Sequence, residues 1–121
     1  TKTPDNVLVT DWRPALQASQ LADIAVIHGG IVTIMTACLV GKPVVGVAMS
    51  PEQFINLENL VQKGFAIHIP KGRLTVDRLF AALEKLLADS AVHDKAQAYL
   101  KVVEEWDDPK HLQDFFWETF A

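Results

Sequence analysis

The stretch Ile24-Ala25-Val26-Ile27-His28-Gly29-Gly30-Ile31-Val32-Thr33-Ile34 decides the fold. Its first four residues are apolar and three of them are β-branched, which reads as a buried strand. An apolar segment of helix length, Ile31 to Val40, follows and is closed by Gly41, with Pro43 just beyond. His28-Gly29-Gly30 therefore sits at a strand-to-helix turn. Free backbone N–H groups and the positive end of the helix dipole face whatever enters such a turn, and two glycines allow close approach to the main chain. The natural guest is a phosphate or diphosphate; the plain alternative is a tight turn with no ligand.

Outward from this turn the pattern alternates. Val7-Leu8-Val9-Thr10 reads as a short strand, and Asp11-Trp12-Arg13-Pro14 opens a helix with Pro14 at its first position and Leu16 and Leu21 facing inward. Residues 44–48 and 66–69 are further strands. Between them Ser50-Pro51-Glu52-Gln53 has the spacing of a capping box around a proline. Thr75 caps a helix whose Val76, Leu79, Phe80, Leu83, Leu86 and Leu87 recur at helical spacing. A further helix is predicted from about Ser90 to Trp106, and a last one from Asp108-Pro109. Apolar strands separated by helices demand a parallel sheet covered on both faces, so the fold class is α/β, doubly wound and Rossmann-like. In open sheets of this kind ligands bind beyond the carboxyl ends of the strands. Residues 10–12, 28–30 and 48–53 are thus expected to converge on one crevice.

With 121 residues, 50% hydrophobic and 21% charged, the chain reads as one globular domain, residues 1–121, with a core of its own. A net charge of −4 and the lack of any Lys/Arg cluster with aromatics exclude a non-specific nucleic-acid binder. No signal peptide, lipidation motif or long apolar run takes it into a membrane. Cys38 is the one cysteine and falls in an apolar helical segment, which points to a packing role, a reducing compartment and a cytoplasmic location. His28, His68, His93 and His111 lack metal-ligand spacing, so no metal is expected. Gly41-Lys42 lacks the flanking residues of a P-loop, and neither a Ser-His-Asp constellation nor a GxGxxG turn is present.

The order Trp12-Arg13-Pro14, Ala22-Asp23, His28-Gly29-Gly30 with Thr33, Gly41-Lys42-Pro43-Val44-Val45, then Glu52-Gln53 and Asn56, resembles the C-terminal, donor-binding domain of GT-B glycosyltransferases. The pattern is similar to the glucuronosyl- and macrolide-transferase group and to the lipid-linked N-acetylglucosaminyl transferases, over roughly residues 7–106. The resemblance implies a nucleotide-diphosphate sugar, UDP- or TDP-linked, as the substrate, with no cofactor. It implies that Trp12 stacks near the base, that His28, Gly29, Gly30 and Thr33 hold the diphosphate, and that Glu52 and Gln53 bind the donor sugar in place of the usual Asp-Gln pair. The catalytic base lies in the other domain of such enzymes, so no catalytic residue is assigned to this chain. A nucleotide-sugar 2-epimerase and a non-catalytic interaction module are the alternatives.

From the residues alone, Trp12 could instead be a core aromatic, Thr33 could satisfy first-turn N–H groups, and Gln53 could serve as a cap. Two positions depart from the family pattern. Ala15 stands where Gln is common after the Trp-x-Pro, and Thr36 where a Glu usually grips the ribose, which leaves the diphosphate part better supported than the ribose part. In the family's usual strand order, 3-2-1-4-5-6, strands absent here separate residues 7–10 from 24–27. The expectation is a partial donor domain, lacking its N-terminal acceptor domain, whose missing strands are supplied by another chain or whose first strand pairs abnormally; the alternative is that the chain is a fragment of a longer enzyme. Phe115, Phe116, Trp117 and Phe120 are too many aromatics for a solvent-facing terminal helix, which implies self-association through it.

Overall fold

The computed structural model describes residues 2–106, 110, 114 and 117–119. In chain order its elements are α1 (Ala15–Leu21), β1 (Ala25–Ile27), α2 (Ile31–Val40), β2 (Val44–Gly46), α3 (Pro51–Lys63), β3 (Ala66–His68), a single 3₁₀ turn (Lys71–Arg73), α4 (Val76–Ala88) and α5 (Ser90–Trp106). The three strands form one parallel sheet in the order β1-β2-β3, with Val26 opposite Val45 and Val45 opposite Ile67. Successive right-handed crossovers that step in one direction place their helices on one face. Accordingly Ile34, Ala37 and Cys38 of α2 share a core with Val44, with Leu57 and Leu60 of α3, and with Ala96 of α5. The opposite face packs Val45, Val47 and Ile69 against Ala82 and Leu86 of α4. Val44 and Val45 are adjacent, point to opposite faces and are both fully buried, as the central strand of a sheet covered twice requires.

The helix boundaries follow local chemistry. Gly41 takes a left-handed conformation (φ 62°), its N–H donates to Cys38 O and the N–H of Lys42 to Ala37 O, the paired bonds of a Schellman stop. Gly64 ends α3 in the same conformation (φ 87°). Thr75 Oγ1 accepts the Arg78 N–H at 3.2 Å and starts α4. The side-chain amide of Gln97 donates to Gly41 O at 2.8 Å, so the end of α2 is also where α5 is fastened.

Four expectations need correction. Residues 7–10 form no strand; Val7, Leu8 and Val9 are 50, 86 and 75% exposed, and the segment joins no ladder among the described residues. A segment of high β-propensity is held as a strand only by a neighbour that pairs with it, and none of the described residues does so here. Pro14 is the residue before α1 and not its first helical position, a difference of one residue at a fraying end. Leu16 and Leu21 do not face a core: they are 43 and 90% exposed, while Ala15 and Ser19 of α1 line a small cavity with Ala25 and Ile27 of β1 and Val32 and Thr33 of α2. The strands are also shorter than predicted, at three residues each, since apolar flanks such as Ile24, Val47 and Ile69 pack in the core without pairing through the whole ladder. The predicted last helix, with Phe115, Phe116 and Phe120, lies largely outside the described residues.

Cys38 is buried on α2, and burial pushes its thiol pKa above the ordinary value, with Lys63 opposing. Alkylation of the native protein is therefore expected to wait for opening, and an opening free energy of about 3 kcal/mol slows it roughly a hundredfold relative to the denatured chain. Comparing labelling rates with and without denaturant checks this; equal rates contradict the packing. Because folding raises the pKa of this acid, the unfolded state ionises first, and stability falls as pH rises past the ordinary thiol value.

Candidate functional site

The turn after β1 is shaped by its backbone. Gly29 has φ 93°, a conformation other residues rarely adopt, and Gly30 caps α2 with φ −61° and ψ 150°. Gly29 is buried against α3: a Cβ there would lie 2.6 Å from Leu57 Cγ and 2.9 Å from the Gln53 carbonyl oxygen. The His28 ring folds beside Gly30, its Cε1 and Nε2 lying 3.2 and 3.5 Å from where a Gly30 Cβ would be. The amides of Gly29, Gly30, Ile31, Val32 and Thr33 donate to no group among the described residues. An exposed imidazole beside a row of unspent N–H groups at a helix N-terminus is an arrangement suited to an anion.

The structure speaks to the capping alternative for Thr33. Its hydroxyl donates to Gly30 O at 2.8 Å, so it caps no first-turn amide and its proton is engaged on the turn itself. Trp12 is 83% exposed, which rules out the core-aromatic alternative. Thr36 likewise spends its hydroxyl inside α2, on Val32 O at 2.8 Å.

Beyond β2, Ser50 Oγ accepts the Gln53 N–H at 3.4 Å, and Gln53 Oε1 accepts the Met49 N–H at 2.8 Å. The capping box is present but reaches back one residue further than its usual form. With Oε1 engaged, the Gln53 side chain has its NH2 group left to offer a ligand. Glu52 is exposed in the first turn of α3, where a carboxylate also favours the helix dipole.

Asn56 was part of the sequence pattern without a role of its own. Its side-chain amide donates to Gly29 O at 3.0 Å, fastening α3 to the glycine turn, and only its position three residues after Gln53, on the same helix face, hinted at this. His68 is also more than scattered: Nδ1 pairs with Glu58 Oε1 at 2.8 Å and the ring meets Phe54 edge-on at 5.0 Å. His93 Nε2 donates to Leu86 O at 3.0 Å, and among the described residues no His, Cys, Asp and Glu group is placed to hold a metal ion. An open groove of about 520 Å³ runs along the carboxyl ends of β2 and β3 between Met49, Phe54, Ile55, His68 and Lys71. It is lined by neither His28 nor the glycines, which lie at the end of β1.

The covered parallel sheet and the glycine turn at the end of β1 define a C-terminal domain of the GT-B glycosyltransferase type. Residues 1–110 match the model of the erythromycin biosynthesis protein CIII-like C-terminal domain, and the chain belongs to that family. It is similar to a PGL/p-HBAD biosynthesis rhamnosyltransferase of Mycobacterium bovis (strain BCG / Pasteur 1173P2), 29% identical over 93 residues that make up 77% of this chain and 21% of that protein. Among solved structures it is similar to the glycotransferase of kitacinnamycin, with a TM-score of 0.75 and 34% identity over 82% of this chain and 26% of that one. The glycosyltransferase VinC in complex with DTDP gives a TM-score of 0.76 at 28% identity, over 83% of this chain and 25% of that one. The chain thus spans about a quarter or less of the length of each.

Proposed function

We propose that this chain is the donor-binding part of a glycosyltransferase that takes its sugar from a UDP- or TDP-linked donor. The diphosphate sits on the amides of residues 29–33 beside His28, Trp12 lies against the base, and Glu52 with the Gln53 amide binds sugar hydroxyls. The observation that carries the reading is the set of unspent amides at the start of α2. As the bond from the sugar carbon to the departing oxygen breaks, negative charge grows on the diphosphate, and fixed N–H donors together with the imidazole stabilise it without a metal. Thr33 supports the turn through Gly30 O. The base that activates the acceptor, and the closed cleft the reaction needs, come from an acceptor domain, so this chain alone is not expected to turn over.

A cytoplasmic location accords with the buried lone thiol, and no helix among the described residues is long and apolar enough to cross a membrane. The aromatic C-terminal segment is where the acceptor domain or a second copy would dock. The engagement of Thr36 within α2 favours a weak grip on the ribose, which keeps a degenerate, non-catalytic module as the second reading.

Titration of the ¹⁵N-labelled chain with TDP and UDP tests the proposal. Resonances of Gly29 and Gly30 are expected to move, and His28→Ala to weaken binding by about tenfold, the worth of one charge-assisted hydrogen bond. Spectra unmoved by millimolar nucleotide favour the non-catalytic module.

A further inference from the structure

We infer that Asn56 is a positioning residue for the diphosphate: by holding the Gly29 carbonyl it turns the Gly30 amide outward as an anion donor. The inference rests on the donor-site reading. Asn56 Nδ2 reaches Gly29 O at 3.0 Å across 27 positions of sequence. The peptide joining Gly29 and Gly30 is trans, and in a planar trans peptide the C=O and N–H point in opposite directions. Holding the oxygen on the α3 side therefore sets the Gly30 N–H on the side away from α3, where it donates to no described residue. The reversed peptide would direct the N–H toward α3 and present a carbonyl oxygen to the ligand, which repels a diphosphate. One side-chain amide thus decides the sign of the partial charge the turn displays.

The chemistry of the side chain matters as much as its reach. A carboxamide can donate to a carbonyl; an ionised carboxylate at the same place can only accept, and favours the reversed peptide whose N–H it can bind. Gly29 and Gly30 make either orientation accessible to the backbone, since turning this peptide changes ψ of Gly29 and φ of Gly30 and neither residue carries a Cβ. Leu57 packs beneath the turn and keeps it from sinking onto α3. Gln53 is held on the same helix face by its bond to Met49 N, so α3 carries the amide that sets the turn and the amide proposed for the sugar on one rigid element.

The test is ¹⁵N NMR of the 121-residue chain and of Asn56→Asp, each titrated with UDP and with inorganic pyrophosphate. Without ligand, the Gly30 resonance of Asn56→Asp is expected to move further than those of α2 beyond its first turn. Both ligands are expected to bind about tenfold or more weakly than to the unsubstituted chain. Equal affinity in the two proteins overturns the inference, whether or not the Gly30 resonance moves. Absence of binding to the unsubstituted chain overturns the donor-site reading and the inference with it, so the two failures are distinct. Asn56→Ala removes the donor without adding charge; should Asn56→Asp not fold, this variant is judged by the same criterion, loss of affinity with a displaced Gly30 resonance.

Discussion

Gly29→Ala is expected to destabilise the protein by about 2–5 kcal/mol, from a left-handed backbone penalty of about 1–2 kcal/mol and overpacking of about 1–3 kcal/mol. The backbone penalty follows from φ 93° and the overpacking from contacts of 2.6 Å to Leu57 Cγ and 2.9 Å to Gln53 O. The second contact is decisive, because a leucine can change rotamer whereas a carbonyl inside α3 moves only with the helix. Nucleotide binding should fall as well, since any relief tilts the turn away from α3 and breaks its bond to Asn56. Gly72→Ala is the control: nothing lies within 4 Å of its added Cβ, and the change should stay within about 0.5 kcal/mol. Urea denaturation of both variants measures the difference. Equal midpoints for Gly29→Ala and the unsubstituted protein would mean that the turn is not held as described.

The second large effect is expected at Leu57, which has no exposed surface and fills the space beneath both Gly29 and Gly46. Leu57→Ala opens a cavity at the point where α3 meets the ends of β1 and β2, with an expected loss of about 2–5 kcal/mol. Leu87→Ala, at a residue 58% exposed, should cost much less. Combining Leu57→Ala with Gly29→Ala should destabilise by less than the sum of the two, because the truncated side chain no longer meets the added methyl. A coupling of about 1 kcal/mol or more, read from a double-mutant cycle, checks that the two residues share one space. Strict additivity would place the cost of Gly29→Ala in its backbone conformation and its contact with the Gln53 carbonyl, with no share from Leu57.

Much of the fold was legible because helix ends are local. Gly41 and Gly64 stop helices by their own conformational freedom, and Ser50-Pro51 and Thr75 start them with an oxygen a few atoms from the amide it accepts. The glycine turn was legible for the same reason: β-branched residues, two glycines and a helix-length apolar segment are adjacent in the chain. Residues 7–10 show the limit. Their β-branched residues state a preference for extended backbone, but a strand exists only where another strand pairs with it. Leu16 and Leu21 likewise favour burial by being apolar, without any local signal of whether a core lies beneath them.

The amino-acid sequence by itself determined the class of fold, the order of helices and strands from α1 to α5 and the place of the glycine turn, since the signals for each lie within a few residues. Tertiary structure alone decided that Leu57 fills the space under two glycines and that Asn56 grips a carbonyl 27 positions away. Periodicity tells which side of a helix is apolar, but not which backbone oxygen another element brings within 3.0 Å of a side-chain amide. Such a bond exists only after α3 has packed across the ends of β1 and β2.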